Sequence, residues 1–120
     1  MQNAQAEAIE IQLINLKTEK LIFTVAGLKK EKNAVILAHY YTSPQIQEIA
    51  DYVGDSYYLS KLAVSLPEQI LVFCGVSFMG ESARILNPSK KVLMPDMTAD
   101  CAMAHMADAK TIERMREKYD

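Results

Sequence analysis

Cys101 stands in the polar stretch Thr98-Ala99-Asp100-Cys101, where burial gives no reason for a thiol. A cysteine in such a place is a metal ligand or nucleophile at least as readily as filler, since only the thiolate does that work. His105 comes four residues later, so one helical turn would put both on one face. The pair could serve zinc, but a structural zinc site wants four ligands. No CxxC or HxxxH supplies the rest, and His105 reads as structural. Cys74, inside Val72-Phe73-Cys74-Gly75-Val76, reads instead as a packed thiol. His39 directly succeeds a wholly apolar run. It could donate a proton to a ligand from that rigid base, or merely cap a sheet edge. Tyr40 and Tyr41 are adjacent, so in extended chain they point to opposite sides. One could face a site, and packing of both is the plainer reading. Gly54-Asp55-Ser56 opens a helix, where free N–H groups and the Ser56 hydroxyl can hold a carboxylate or phosphate. Ordinary capping would explain the same residues. Neither a dinucleotide fingerprint nor a phosphate-binding P-loop occurs in the chain. Met79, Met94, Met97, Met103 and Met106 read as gap-filling core residues.

The elements that must position these groups emerge from the apolar pattern. Residues 3–31 carry Ile9, Leu13, Leu16, Leu21, Val25 and Leu28 at three- and four-residue steps, which predicts a helix. Thr18 and Gly27 weaken it, so a break is possible there. Ala34 to Ala38 is a short β-branched run, a strand buried on both faces. Ser43-Pro44 starts a short helix through Ile46, Ile49 and Ala50. Tyr52-Val53-Gly54 breaks that helix. Asp55-Ser56 opens another, with Leu59, Leu62 and Ala63 inward, closed by Pro67. Ile70 to Phe73 predicts a second strand, Phe78 to Leu86 a helix stopped by Asn87-Pro88, and Lys91 to Met94 a third strand. Ala102 to Met106 reads as one helical turn. Thr111 to Lys118 is the last helix, with Thr111 near its N-cap. The division is an N-terminal helical segment, 1–32, and an α/β domain, 33–120. Alternating strands and helices mean a parallel sheet with helices on both faces, a three-layer αβα sandwich. Ligands in such sheets bind beyond the carboxyl ends of the strands. Those ends carry His39-Tyr40-Tyr41, Cys74-Gly75, and Pro95 onward to Cys101.

Composition bounds the function. The 120 residues are one domain's worth, half of them hydrophobic, with a net charge of −2. That charge argues against a nucleic-acid footprint. No apolar run approaches the length of a membrane span, and the first residues lack a secretion signal. A cytoplasmic location is the expectation. Two cysteines are too few for a disulfide framework.

The stretches VILAHYYTSPQIQEIADYVGDSYYLSKLA, VFCGVSFMGESARILNPSKKVLMPD and TADCAMAHMAD, in that order and spacing, resemble the NadA-type quinolinate synthases. The resemblance covers Asn33 to Asp108. It implies a transferase of de novo NAD biosynthesis that condenses iminosuccinate with dihydroxyacetone phosphate to quinolinate, with L-aspartate oxidase as the supplier of iminosuccinate. It implies an oxygen-sensitive [4Fe–4S] cluster on three cysteines, whose open iron acts as a Lewis acid. It implies three similar α/β domains around a pseudo-threefold axis, each giving one cysteine, this chain being the first. On that resemblance Cys101 is a cluster ligand, and His39 and Ser56 bind iminosuccinate. Tyr41, with His39, is catalytic and assists proton transfer. Tyr40, where many members have Asn, points away from the site. The other two cluster ligands are absent from this chain, so the isolated 120 residues are expected to be inactive and to lose the cluster. A non-catalytic dicarboxylate- or phosphate-binding module and a Cys101/His105 zinc domain are the alternatives.

Overall fold

The computed structural model describes residues 2–119, with side chains at 7, 8 and 10–119; Ile9 lies outside the described side chains. The chain opens with α1 (Gln2–Lys32) and continues as β1 (Ala34–His39), α2 (Pro44–Ile49) and β2 (Tyr52–Gly54). Next come α3 (Ser56–Ser65), β3 (Ile70–Cys74), α4 (Ser77–Leu86) and β4 (Lys91–Leu93). A 3₁₀ turn (Ala102–His105) and α5 (Ala109–Tyr119) finish it.

The four strands form one parallel sheet in the order β2-β1-β3-β4. Parallel strands need covered faces, and the apolar runs supply them. One face of the sheet, Val35, Leu37, Leu71 and Phe73, packs on Leu59 and Ala63 of α3 and Met79 and Ala83 of α4. The other, Ile36, Ala38 and Cys74, is covered by Ile46 and Ile49 of α2 and Val25 of α1. The architecture is a three-layer αβα sandwich, as the alternation of elements predicts.

Four local points refine the sequence reading: three correct it, and one, the unbroken α1, bears out the helix read over 3–31. Tyr52-Val53-Gly54 is not a helix break but the edge strand β2, paired with Leu37 to His39. Asp51 seeds it. Its N–H donates to the Ile36 carbonyl at 2.9 Å, and its carboxylate accepts from the Ile36 N–H at 2.8 Å and the Lys29 ammonium at 2.7 Å. Second, α1 runs unbroken. The Thr18 hydroxyl donates to the Ile14 carbonyl at 3.0 Å, and the helix ends at Asn33, whose φ of 52° is a left-handed stop. Third, α5 begins from Asp108, not Thr111. Asp108 accepts from the Thr111 N–H at 2.8 Å and from its hydroxyl at 3.1 Å, a side-chain cap one turn earlier. Fourth, Met97, Met103 and Met106 are exposed rather than packed, because among the described residues no element covers the segment after β4. Of the five methionines read as core, Met79 and Met94 alone join it.

Most of α1 stands clear of the sheet. Leu13, Leu16, Leu21 and Phe23 are exposed, and the contact runs through its C-terminal turns, at Val25 and at Lys29. The two populations of leucine should therefore behave differently. Leu71→Ala, at a fully buried position, is expected to cost about 2–5 kcal/mol. Leu21→Ala is expected to stay within about 0.5 kcal/mol. Urea unfolding midpoints of the two variants test the difference; equal losses would contradict the placement of α1.

Candidate functional site

The sheet order places β1 and β3 side by side at the centre, with their outgoing connections on opposite faces. A crevice must open where those connections part, beyond the carboxyl ends of the two strands. A cavity of about 550 Å³ lies there. His39, Tyr41, Ser56, Cys74 and Cys101 all line it. Sequence reasoning named each of these positions, and the fold brings them to one place.

His39 is the last residue of β1, and the turn 39–42 fixes its ring. The chain reverses at Tyr40, with the Thr42 N–H and hydroxyl donating to the His39 carbonyl at 2.9 and 2.8 Å. The turn aims the Tyr41 N–H at His39 Nδ1, 3.1 Å away. An amide N–H can only donate, so Nδ1 is the acceptor. In the neutral imidazole the proton is then on Nε2. His39 thus offers a fixed N–H donor from the cavity wall.

The same turn corrects the expectation that Tyr40 and Tyr41 point apart. That alternation belongs to extended chain, and here the chain reverses. The rings of His39, Tyr40 and Tyr41 meet pairwise, with centroids 4.5 to 4.8 Å apart. Neither tyrosine is packed away. Tyr41 is the more exposed and lines the cavity mouth. The Tyr41 phenol beside it, then partial desolvation, raise the Tyr40 pKa above the ordinary phenol value.

Ser56 is the first residue of α3, behind the N-cap Asp55, whose carboxylate accepts from the Tyr58 N–H at 2.8 Å. Gly54 before it has a packing role: a Cβ there would lie 2.3 Å from the Tyr58 ring. Cys101 sits half-exposed at the end of the loop after β4. Three tethers hold that loop. The Ser77 N–H donates to the Ala99 carbonyl at 2.9 Å. Asp96 accepts from the Thr98 N–H and hydroxyl at 2.9 and 2.6 Å, and Asp100 from the Cys101 N–H at 2.8 Å. Those bonds lower both carboxyl pKa values, from Thr98 for Asp96 and from the Cys101 N–H and then His105 for Asp100.

His105 does not join Cys101. Its Nε2 lies 2.8 Å from Asp100 Oδ2, and it is not among the cavity-lining residues. Among the described residues no group of three or more His, Cys, Asp and Glu could hold a metal ion. Sequence reasoning missed the apolar wall of the cavity, Ile46, Phe78 and Met103, and placed Asp96 on the rim without giving it a role. Asp96-x-Thr98 was readable as a side-chain turn. The wall was not, because helical apolar residues look alike whether they face a core or a crevice.

These features define a parallel α/β domain with a mostly apolar cavity and a few polar groups over its central strands. Residues 24–120 match the family described as quinolinate synthetase A protein. The chain is 57% identical over 99 residues to the quinolinate synthase of Clostridioides difficile strain 630, covering 82% of this chain and 33% of the relative. It is 62% identical over 95 residues to that of Clostridium perfringens, covering 79% and 32%. With quinolinate synthase 1 of Methanosarcina acetivorans the identity is 52% over 99 residues, covering 82% and 33%. The chain belongs to the quinolinate synthetase A family, and it spans about a third of the length of these relatives.

The two thiols should react very differently. Burial pushes the Cys74 pKa above the ordinary thiol value, which leaves less thiolate at any given pH. Iodoacetamide at neutral pH is therefore expected to label Cys101 at least about tenfold faster than Cys74, read by peptide mass spectrometry. Raising the pH should bring up Cys74 labelling later. Equal rates at neutral pH would contradict the burial of Cys74.

Proposed function

We propose that this chain carries the iminosuccinate-binding third of a quinolinate synthase, a transferase of NAD biosynthesis. The observation that supports it most is the convergence of His39, Tyr41, Ser56 and Cys101 on one cavity. The intended ligands are small and anionic, iminosuccinate and dihydroxyacetone phosphate. His39 donates from Nε2 to a ligand carboxylate, and the Ser56 hydroxyl, at the positive end of α3, holds a second carboxylate oxygen. Tyr41, at the mouth, carries a phenol able to hand a proton to or from the bound ligand. The apolar wall excludes water from the carbon framework.

In this reading residues 1–32 are a helical segment and 33–120 the first of three similar domains. The location is cytoplasmic, and L-aspartate oxidase supplies the iminosuccinate. No described helix is long and apolar enough to cross a membrane.

The [4Fe–4S] cluster implied by the family is not completed by these residues. The chain has two cysteines. Cys74 lies in the apolar layer under α2, where burial disfavours its thiolate. Cys101 alone lines the cavity half-exposed, and three thiolates are needed. We assign Cys101 as one ligand, with the other two outside these 120 residues. With Cys101 as the one cluster ligand these residues supply, the 120-residue chain by itself is a binding unit, not a catalyst.

Two measurements test this reading. Calorimetry with quinolinate should give saturable binding, weakened at least about tenfold in His39→Ala, the scale of a lost hydrogen bond to a charged group. No heat with the unmodified chain would remove the assignment. Anaerobic reconstitution of the 120-residue chain with iron and sulfide should leave no four-iron absorbance or Mössbauer signal after desalting. A stable four-iron cluster on the monomeric chain would overturn the assignment of Cys101 as one of three ligands.

A further inference from the structure

The His39 tautomer depends on one backbone N–H, that of Tyr41, being aimed at Nδ1. Nothing in the His39 or Tyr41 side chains enforces that aim. It is set by the shape of the turn 39–42. The turn's own bonds, from Thr42 to the His39 carbonyl, close it at one end. They leave the carbonyls of Tyr40 and Thr42 to be placed.

Gln47, half-buried in α2, reaches back to both. Its Nε2 donates to the Tyr40 carbonyl at 3.0 Å and to the Thr42 carbonyl at 2.9 Å. A primary amide has two N–H donors, and both are spent on this turn. The two carbonyls bracket the Tyr41-Thr42 segment. The Tyr40 carbonyl belongs to the same peptide plane as the Tyr41 N–H, because a peptide unit is rigid and planar. Holding that carbonyl therefore orients that N–H. The next plane, Tyr41–Thr42, is held by the Thr42 N–H on the His39 carbonyl at 2.9 Å, and the Thr42 carbonyl, held by Gln47, fixes the plane after it, so the turn cannot twist between its two ends. Gln47 itself is fixed at both ends: it lies in the first turn of α2, its N–H on the Ser43 carbonyl at 3.1 Å, and Ile46 beside it packs under the sheet.

We propose that Gln47 is a positioning residue for the ligand site. It holds the Tyr40–Tyr41 peptide plane so that His39 accepts at Nδ1 and presents its Nε2 proton to the cavity. Its own contacts are with the turn; it acts through His39. The proposal deepens the functional reading above and rests on it for the identity of the ligand, but the tautomer is a property of the protein without ligand.

Two substitutions isolate the donors. Gln47→Met keeps the length of the side chain and removes both N–H groups. Gln47→Glu keeps its shape and replaces the donors with oxygen atoms that repel the two carbonyls. A third, Gln47→Asn, keeps the chemistry but is one methylene too short to span both.

The test is the ¹⁵N–¹H correlation of the imidazole rings, whose nitrogen shifts report which nitrogen carries the proton. The chain has two histidines. His105 is held by Asp100 and far from the turn in sequence, so it serves as an internal control. His39 of the unmodified protein is expected to show the Nε2–H pattern. Gln47→Met and Gln47→Glu should move it toward the averaged pattern of a free neutral imidazole, with His105 and the core methyl resonances unchanged. Quinolinate affinity should fall about tenfold with it, with Gln47→Asn closer to Met than to the unmodified chain. A His39 pattern that stays Nε2–H in both folded variants would overturn the proposal. So would its loss only alongside shifts throughout the core, which would make Gln47 merely structural. If quinolinate fails to bind even the unmodified protein while the tautomer still responds to Gln47, the functional reading falls and the positioning role stands.

Discussion

The structure depends on β1 being buried on every side. Leu37 and Ala38 are fully buried, with β2 and β3 on either edge and helices on both faces. A parallel strand in that position cannot leave a face to water. The chain must therefore send α2, which follows β1, to one face and α4, which follows β3, to the other. Two connections that leave neighbouring strands on opposite faces must part at the carboxyl ends. The cavity is the geometric consequence of the burial of β1. His39 borders it because it is the residue at which that burial stops.

What the sheet provides is position, and what the loops provide is chemistry. His39 inherits a fixed backbone from β1, but its donor direction comes from hydrogen bonds in the adjoining turn. Cys101 has no strand behind it. Its place comes from bonds made by Ala99, Asp96 and Asp100 along one loop. Those carboxylates are exposed, so each bond is weak on its own. The loop is held by their number and by the short spans they close. Cys74 shows the contrast. It ends β3 as His39 ends β1, but its side chain lies against Ile36 and Ala38. The apolar layer that fixes it also makes it chemically quiet.

The sandwich, its strand direction and the rim were legible because long apolar runs and their alternation with helices carry non-local information. The short elements were not. Tyr52-Val53-Gly54 is three residues long, too short for any period, and it is a strand only because Leu37 to His39 lie beside it. A β-branched and an aromatic residue side by side were a hint, overridden by the glycine. Asp108 and Thr111 are both good caps in sequence, and only the chain's path chooses between them. His39, Tyr41 and Cys101 were legible as rim residues from strand order, whereas Ser56 was legible only as the start of a helix, because the strand before it was not read. Gln47 was not, because a glutamine in a polar helix turn carries no mark of the two carbonyls it will meet.

That difference has a physical pattern. The groups that sequence reading finds are those whose chemistry is rare at their location: a thiol in a polar loop, an imidazole after a buried strand. The groups it misses are ordinary residues whose role is made by geometry. Asp51 is such a case. It is one aspartate among many acidic residues, yet its carboxylate joins the Ile36 N–H to the Lys29 ammonium. It ties the helix before β1 to the strand after α2. An acid so placed couples the long N-terminal helix to the sheet edge that borders Ser56. The long helix is thus attached to the fold by a polar clasp at the amino end of β2, while its N-terminal turns carry apolar side chains that this chain leaves exposed.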